Sequence, residues 1–229
     1  MIEKKIQLSS GELTYFHAGQ GRPLLYLHPA GGVRRSKVLA GLADSFSLHV
    51  PVIPGWEGTA FHEGLTSRHR LSQLVAEFAR KLIGERTDVM GWSFGGAVAL
   101  WLALEHPQLV DHLVLECPGG LCSIDPKIKR VNRALLEHYG AEDGKDEALV
   151  ARVGEVAHPT LIIQGTHDGT IPEPSARWLK GQLRKAYLVY VWGAGHDLEV
   201  DAPERVLDLA RRFLEHSDAF MVNRGNIKA

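Results

Sequence analysis

A serine stands in a glycine-rich segment between an apolar stretch and a helix-like stretch. Residues 91–96 read Gly-Trp-Ser-Phe-Gly-Gly and centre on Ser93. A serine hydroxyl becomes available as a nucleophile when a sharp strand-to-helix turn holds it above a sheet. Glycines must flank such a turn because a Cβ there would collide with neighbouring backbone. The motif alone is a weak signal, but a strand pattern before it and a helical pattern after it favour a nucleophilic role for Ser93.

Two later segments carry a candidate acid and a candidate base. Residues 165–169 (GTHDG) contain Asp168, and residues 193–197 (GAGHD) contain His196; each segment directly follows an apolar strand pattern. A serine nucleophile needs a base within hydrogen-bond reach and an acid that orients the base. A parallel sheet places its ligand crevice at the carboxyl ends of its strands, so we expect both residues near Ser93. Glu116, which ends another apolar stretch, stays open as an alternative acid.

The elements that must position these residues follow an alternating pattern. Short apolar runs bounded by Gly, Pro or polar residues alternate with longer segments of helical periodicity, which is typical of βαβ units and a parallel sheet. The first two strands are expected to form a hairpin, because Ser9, Ser10 and Gly11 separate them. Eight strands are predicted, at 3–9, 12–18, 23–28, 46–53, 87–92, 110–117, 159–165 and 186–192.

Motif and strand context together resemble the α/β-hydrolase superfamily, in its esterase, lactonase and carbon-carbon hydrolase branch, over nearly the whole chain. The resemblance implies an α/β fold: an eight-stranded, mostly parallel sheet with helices on both faces. It also implies Ser93 as nucleophile, Asp168 as acid and His196 as base. Relatives that use an aspartate nucleophile, such as epoxide hydrolases, are disfavoured because serine occupies that position. No metal ion or organic cofactor is implied, because serine, histidine and aspartate suffice for this chemistry.

An oxyanion hole needs two backbone N–H donors. One is expected from Phe94, next to the nucleophile. In similar proteins the other comes from a loop that usually begins His-Gly, whereas residues 28–32 here read His-Pro-Ala-Gly-Gly. Pro29 has no N–H, so Ala30 is the expected donor, with Gly31 as the alternative.

Trp56, Trp92 and Phe94 are expected to form an apolar wall of the substrate pocket. Trp56 lies in the segment 54–58 (PGWEG), and Trp92 precedes the candidate nucleophile. Aromatic side chains commonly line substrate pockets, but they also pack in protein cores, and the sequence leaves both interpretations open.

A single domain, 1–229, is expected, with 121–157 as a small lid insertion that holds two short helices. The alternative is that the two helices only seal the edge of the sheet. A small lid would leave a shallow crevice, which predicts a preference for acyl chains of about two to six carbons. Two sets of apolar residues at helical spacing support the helices: Ile128, Val131, Leu135 and Tyr139, and then Leu149, Val153 and Val156.

Charge and hydropathy exclude other classes of partner. The 229 residues carry 26 Lys and Arg against 27 Asp and Glu, which argues against nucleic acid as a ligand. No run of 18 apolar residues predicts a membrane span, and no secretory signal pattern opens the chain, so a cytoplasmic location is the default expectation. The sequence does not indicate an oligomeric state.

The expected activity is that of a carboxylesterase-like serine hydrolase, which cleaves an ester-like bond of a small molecule through an acyl-enzyme. A lactonase, a thioesterase or a carbon-carbon bond hydrolase would use the same three residues with a different pocket. A ligand-sensing protein that has kept the pocket without turnover is a further alternative, from another functional class.

Overall fold

The computed structural model describes residues 1–84, 86–128 and 131–217, and these form an open sheet of eight strands with helices on both faces. Along the sheet the strand order is β1-β2-β4-β3-β5-β6-β7-β8. The predicted fold class is confirmed, and every predicted strand is found within about two residues of its expected bounds. The strands are β1 (Ile2–Leu8), β2 (Gly11–Ala18), β3 (Arg22–Leu27), β4 (Phe46–Pro51), β5 (Thr87–Trp92), β6 (Val110–Glu116), β7 (Thr160–Gly165) and β8 (Ala186–Val191).

Strand pairing makes most of the sheet parallel. β2 pairs antiparallel with both of its neighbours, β1 and β4. All other neighbouring strands, from β4 through β3, β5, β6 and β7 to β8, pair in parallel. The carboxyl ends of β3, β5, β7 and β8 therefore lie at one edge, where parallel α/β sheets form their ligand crevices.

Helices cover the sheet on two sides, and each side has its own apolar core. Residues of α1 and α8 pack in one core, and residues of α2, α3 and α6 pack in the other. α3 is buried along its length from Phe94 to Ala103, as expected for a helix that is apolar on all faces. The helices are α1 (Lys37–Leu42), α2 (Arg68–Leu82), α3 (Phe94–Glu105), α4 (Arg133–His138), α5 (Glu147–Arg152), α6 (Glu173–Gln182), α7 (Leu198–Asp201) and α8 (Pro203–His216).

The segment 121–157 connects β6 to β7 and contains two short helices, α4 and α5, the second of which continues as one 3₁₀ turn, Val153–Glu155. α4 is shorter than the apolar spacing predicts: Ile128 lies in a turn that precedes it, and 129–130 fall outside the described residues. Leu149, Val153 and Val156 are buried against the core, as their spacing predicts. That this segment acts as a lid stays a prediction.

Within the described ranges, none of the helices combines the length and the apolar character that crossing a membrane requires.

Candidate active site

The turn that carries Ser93 is strained, and its glycines allow it. β5 ends at Trp92 and α3 begins at Phe94, which leaves Ser93 alone between strand and helix with φ 52° and ψ −112°. A Cβ on Gly91 would lie 2.6 Å from the carbonyl oxygen of Gly95, and a Cβ on Gly95 would lie 2.1 Å from that of Leu27. Neither distance is sterically allowed, so the backbone can take this path only with glycine at both positions.

Three residues that are far apart in sequence form one chain of hydrogen bonds. His196 Nε2 lies 2.9 Å from Ser93 Oγ, and His196 Nδ1 lies 2.9 Å from Asp168 Oδ2. Ser93 follows β5, Asp168 follows β7 and His196 follows β8, so all three come from the carboxyl ends of parallel strands. If Nδ1–H donates to Asp168, Nε2 is free to accept the Ser93 proton, which is the arrangement a general base requires.

The Asp168 carboxylate is held by several donors. Oδ1 accepts the backbone N–H groups of Thr170 and Ile171, both at 2.8 Å, while Oδ2 accepts His196 Nδ1–H. Burial by itself would raise the pKa of this side chain. The hydrogen bond from His196 and the other donors outweigh burial and hold the pKa of Asp168 below its ordinary value. Asp168 is therefore ionised at neutral pH and can orient and stabilise a histidine that gains a proton.

Glu116, the alternative acid, makes no hydrogen bond with His196, whose two ring nitrogens pair with Asp168 and Ser93. It is fully buried, and its carboxyl faces that of Glu199, which in turn accepts a hydrogen bond from the Tyr26 hydroxyl at 2.8 Å. Burial first, and then the neighbouring Glu199, raise the pKa of Glu116 well above its ordinary value. A carboxyl that keeps its proton can hydrogen-bond a facing carboxylate, whereas two carboxylates cannot. The structure thus places Asp168, and not Glu116, on His196.

The loop that follows β3 lies beside Ser93 and is held in place by hydrogen bonds of His28. His28 is buried; its Nδ1 donates to the carbonyl of Pro29 at 2.8 Å, and its Nε2 accepts Ile53 N–H at 3.0 Å. Burial lowers the pKa of His28 to about 4, which keeps the ring neutral and able to accept that bond. Ala30 and Phe94 both line the cavity beside Ser93. Phe94 opens α3, where a backbone N–H has no acceptor within the helix.

The expectation that Trp56 and Trp92 form the pocket surface is wrong: neither ring lines the cavity, and both are buried at 2% and 0% exposure. A buried indole N–H needs an acceptor, and the two rings find theirs beneath the site loops. Trp56 donates to the carbonyl of Ala30 at 2.8 Å, and Trp92 donates to the carbonyl of His196 at 3.1 Å. Both tryptophans therefore hold loops in place from below.

The cavity above Ser93 has a volume of about 430 Å³, within the range of small-molecule sites. Sequence reasoning missed two groups of its lining residues. One is polar and comprises Arg34, Asp197 and Asp201. The other comes largely from the segment after β6, and its members are Ile124, Ile128, Val131, Leu136, Ala141 and Gly144. The helical spacing in 121–157 was the available signal for part of this wall, while nothing local marks Arg34.

The Cys117 thiol lies behind the hydrogen-bonded chain. Its sulfur, a carboxylate oxygen of Asp168 and a ring nitrogen of His196 all lie within 4.8 Å of one another, a spacing that could hold a metal ion. Burial raises the pKa of Cys117 well above its ordinary value, so the sulfur is a protonated thiol at neutral pH. Two of these groups, Asp168 and His196, are joined to each other and to Ser93 by hydrogen bonds.

Comparison with known proteins finds two family models that each match part of the chain. Residues 67–136 match a family model described as alpha/beta hydrolase fold, and residues 140–219 match a model described as TAP-like protein. A pimeloyl-[acyl-carrier protein] methyl ester esterase of Nitrosomonas europaea is 27% identical over 242 residues, which cover 82% of this chain and 93% of that protein.

Solved structures agree at the level of the fold. A meta-cleavage product hydrolase from Pseudomonas fluorescens superposes with a TM-score of 0.75 at 20% identity, over 93% of this chain and 97% of that one. An esterase from Thermogutta terrifontis superposes with a TM-score of 0.71 at 18% identity, over 94% and 98% of the two chains. The chain therefore has the α/β-hydrolase fold, and its partial matches to two family models and to an esterase of 27% identity support hydrolase activity.

Proposed function

We propose that this chain is a serine hydrolase that cleaves a carboxylic ester of a small substrate through an acyl-enzyme. The observation that carries the proposal is the continuous chain from Ser93 Oγ through His196 to Asp168 at the floor of an open cavity. The esterase named among the relatives supports an ester as the bond that is cleaved.

In the proposed mechanism His196 Nε2 takes the hydroxyl proton of Ser93 while Ser93 Oγ attacks the ester carbonyl carbon. The resulting oxyanion accepts hydrogen bonds from the backbone N–H groups of Phe94 and Ala30. The tetrahedral intermediate collapses, the bond to the alcohol oxygen breaks, and the imidazolium returns its proton to that oxygen. Water, deprotonated by the same histidine, then attacks the acyl-enzyme and releases the carboxylic acid and free Ser93.

Labelling and turnover test the proposal together. A fluorophosphonate probe should modify Ser93, as located by peptide mass spectrometry, and p-nitrophenyl butyrate should be turned over many times per enzyme. Ser93→Ala should abolish labelling and lower turnover by about 10³-fold or more. Ser45→Ala, at an exposed serine outside the cavity, is the matched control and should change neither.

Two results would contradict the proposal. Full turnover by Ser93→Ala would remove the nucleophile from the mechanism. A single stoichiometric burst of p-nitrophenol without further cycles would indicate a ligand-sensing protein instead. A panel that adds lactones, thioesters and vinylogous diketones separates ester cleavage from the reactions that the same three residues could catalyse in a different pocket.

A further inference from the structure

One part of the cavity wall is polar and is built around His196. Asp197 pairs with Arg34, with 3.3 Å between Oδ1 and Nη1. Asp201 accepts the N–H of Gly195 at 2.7 Å. Asp197, Asp201 and Arg34 all line the cavity together with His196. Two carboxylates stand against one guanidinium here, so this polar rim carries a net negative charge.

Another part of the wall is apolar and comes from the segment after β6. Ile124, Ile128 and Leu136 face the cavity there. Phe94 lines the same cavity, and its ring centroid lies 6.1 Å from that of the buried Tyr139, which directly follows α4. This apolar wall is thus continuous with the residue that follows the nucleophile.

Arg68 holds the part of the segment after β6 that runs from Gly140 to Asp146. Its guanidinium donates to the carbonyls of Gly144 at 3.0 Å, Lys145 at 3.1 Å and Gly140 at 3.3 Å. It also pairs with Asp146 at 3.3 Å between Nε and Oδ2, and its side chain is 4% exposed. This part of the wall, which includes the cavity-lining Ala141 and Gly144, is tied to α2 by a buried guanidinium and limits what fits beside it.

The chemistry of the proposed function decides which half of the substrate meets which wall. His196 must return a proton to the departing alcohol oxygen, so the alcohol lies on the side of His196. That side carries the polar rim. The acyl group, attached to Ser93 after the alcohol has left, is then directed to the remaining, apolar part of the cavity.

We propose that the cavity is divided, with the apolar wall around Ile128 taking a short apolar acyl group and the Arg34–Asp197–Asp201 rim taking a neutral or cationic alcohol. This assignment rests on the proposed esterase function. It names the substrate class as an ester of a short aliphatic acid with an alcohol that is not anionic.

The assignment of the acyl group is tested by making the side chain at Ile128 either smaller or larger. For p-nitrophenyl esters of two to twelve carbons, kcat/KM of the wild type should rise by about fourfold per buried methylene and then fall beyond about six carbons. Ile128→Ala should move the optimum to longer chains, and Ile128→Phe should move it to shorter ones. Ile6→Ala and Ile6→Phe, at a half-buried isoleucine of β1 outside the cavity, are the matched controls and should leave the optimum in place.

The assignment of the alcohol is tested with two esters whose alcohols have the same shape, one cationic and one neutral. The wild type should favour the butyrate ester of choline over that of 3,3-dimethylbutanol by about two- to fivefold in kcat/KM at low salt, and less at high salt. Asp197→Asn should remove that preference. Asp208→Asn, at an exposed carboxylate on α8 outside the cavity, should keep it.

Distinct results separate this assignment from the function on which it depends. If the wild type turns over no ester in either panel, the proposed function falls and the assignment falls with it. If esters are turned over but neither Ile128 variant shifts the acyl optimum, the division is wrong. It is reversed if Asp197→Asn changes selectivity for a trimethylammonium group on the acyl half and not on the alcohol half.

Discussion

At the scale of single residues, the two oxygens of Asp168 have separate partners. Oδ1 accepts two backbone N–H groups, and Oδ2 accepts His196 Nδ1–H. An asparagine here would keep its carbonyl oxygen on the two backbone donors, because its amide nitrogen cannot accept them. The NH₂ group would then face His196 Nδ1 and would force that nitrogen to act as an acceptor. The ring proton would move to Nε2, where it blocks proton transfer from Ser93.

Asp168→Asn should therefore lower kcat by about 10³-fold or more without unfolding the protein. Glu116→Gln is the matched control: it makes the same chemical change at the other candidate acid, which makes no hydrogen bond with His196, and kcat should stay within about threefold. Steady-state kinetics with p-nitrophenyl butyrate, together with thermal melts, measure both. The opposite ranking of the two variants would assign the acid to Glu116.

Ser93 and His196 should behave as one unit, because the base has no task without the nucleophile. His196→Ala should cost nearly as much turnover as Ser93→Ala, and the double variant should be no slower than the slower single variant. Single-turnover and steady-state rates of the three variants measure this. A double variant that loses the product of the two single effects would mean that the two residues act independently.

At the scale of elements, Arg68 joins three helices at one point. It is the first residue of α2, and its partner Asp146 is the N-cap of α5, where it accepts Leu149 N–H at 3.1 Å. Asp146 also accepts the indole N–H of Trp101, on α3, at 2.9 Å. This network ties the segment after β6 to the body of the sheet, so that segment forms a fixed wall.

Arg68→Met should destabilise the protein by about 3 kcal/mol, because it leaves the partly buried Asp146 without its countercharge and removes the donor from three carbonyls. Arg133→Met is the matched control: it breaks an exposed ion pair to Glu137 on α4 and should cost less than about 1 kcal/mol. Urea unfolding measured by intrinsic fluorescence gives both values. Equal midpoints for the two variants would show that the Arg68 network contributes no more than a surface pair.

At the scale of the whole molecule, buried carboxyl groups link stability to pH. Glu116 at the end of β6 and Glu199 on α7 face each other, and Tyr26 on β3 and Arg34 are the other ionisable groups that act on Glu199. Folding raises the pKa of Glu116 above its ordinary value of 4.5, so above that pH the folded chain holds a proton that the unfolded chain has lost. Stability must then fall as pH rises through this window.

Glu116→Gln removes the titrating carboxyl group, so the unfolding free energy of the variant should depend less on pH than that of the wild type. Relative to the variant, the wild type should lose stability as pH rises above the ordinary value of 4.5, by at most about 1.4 kcal/mol per pH unit, while titrating groups that do not contact Glu116 cancel in the difference. Denaturant titrations of both proteins across that range provide the test. Parallel pH curves would mean that Glu116 is ionised in the folded protein.

The sequence by itself determined the features that depend on neighbouring residues. Each strand is a local apolar run between turn residues, and the steric demand for glycine around Ser93 comes from backbone atoms within a few positions or in the adjacent strand. Asp168 and His196 could be singled out because each follows a strand directly, and the carboxyl ends of parallel strands share one edge. These relations persist in any packing that keeps the sheet parallel.

Only the tertiary structure decided where buried polar groups find their partners. Trp92 donates a hydrogen bond to a carbonyl that lies 104 residues away in the sequence. Trp56 donates to a carbonyl 26 residues away, and Arg68 donates to a carbonyl 77 residues away. An aromatic or a guanidinium has the same local pattern whether it lines a cavity or supports a loop, so the expected pocket roles of Trp56 and Trp92 failed. Each buried donor needs an acceptor, and this need decides whether the side chain lines the cavity or supports a loop. The acceptor is fixed only when distant segments pack together.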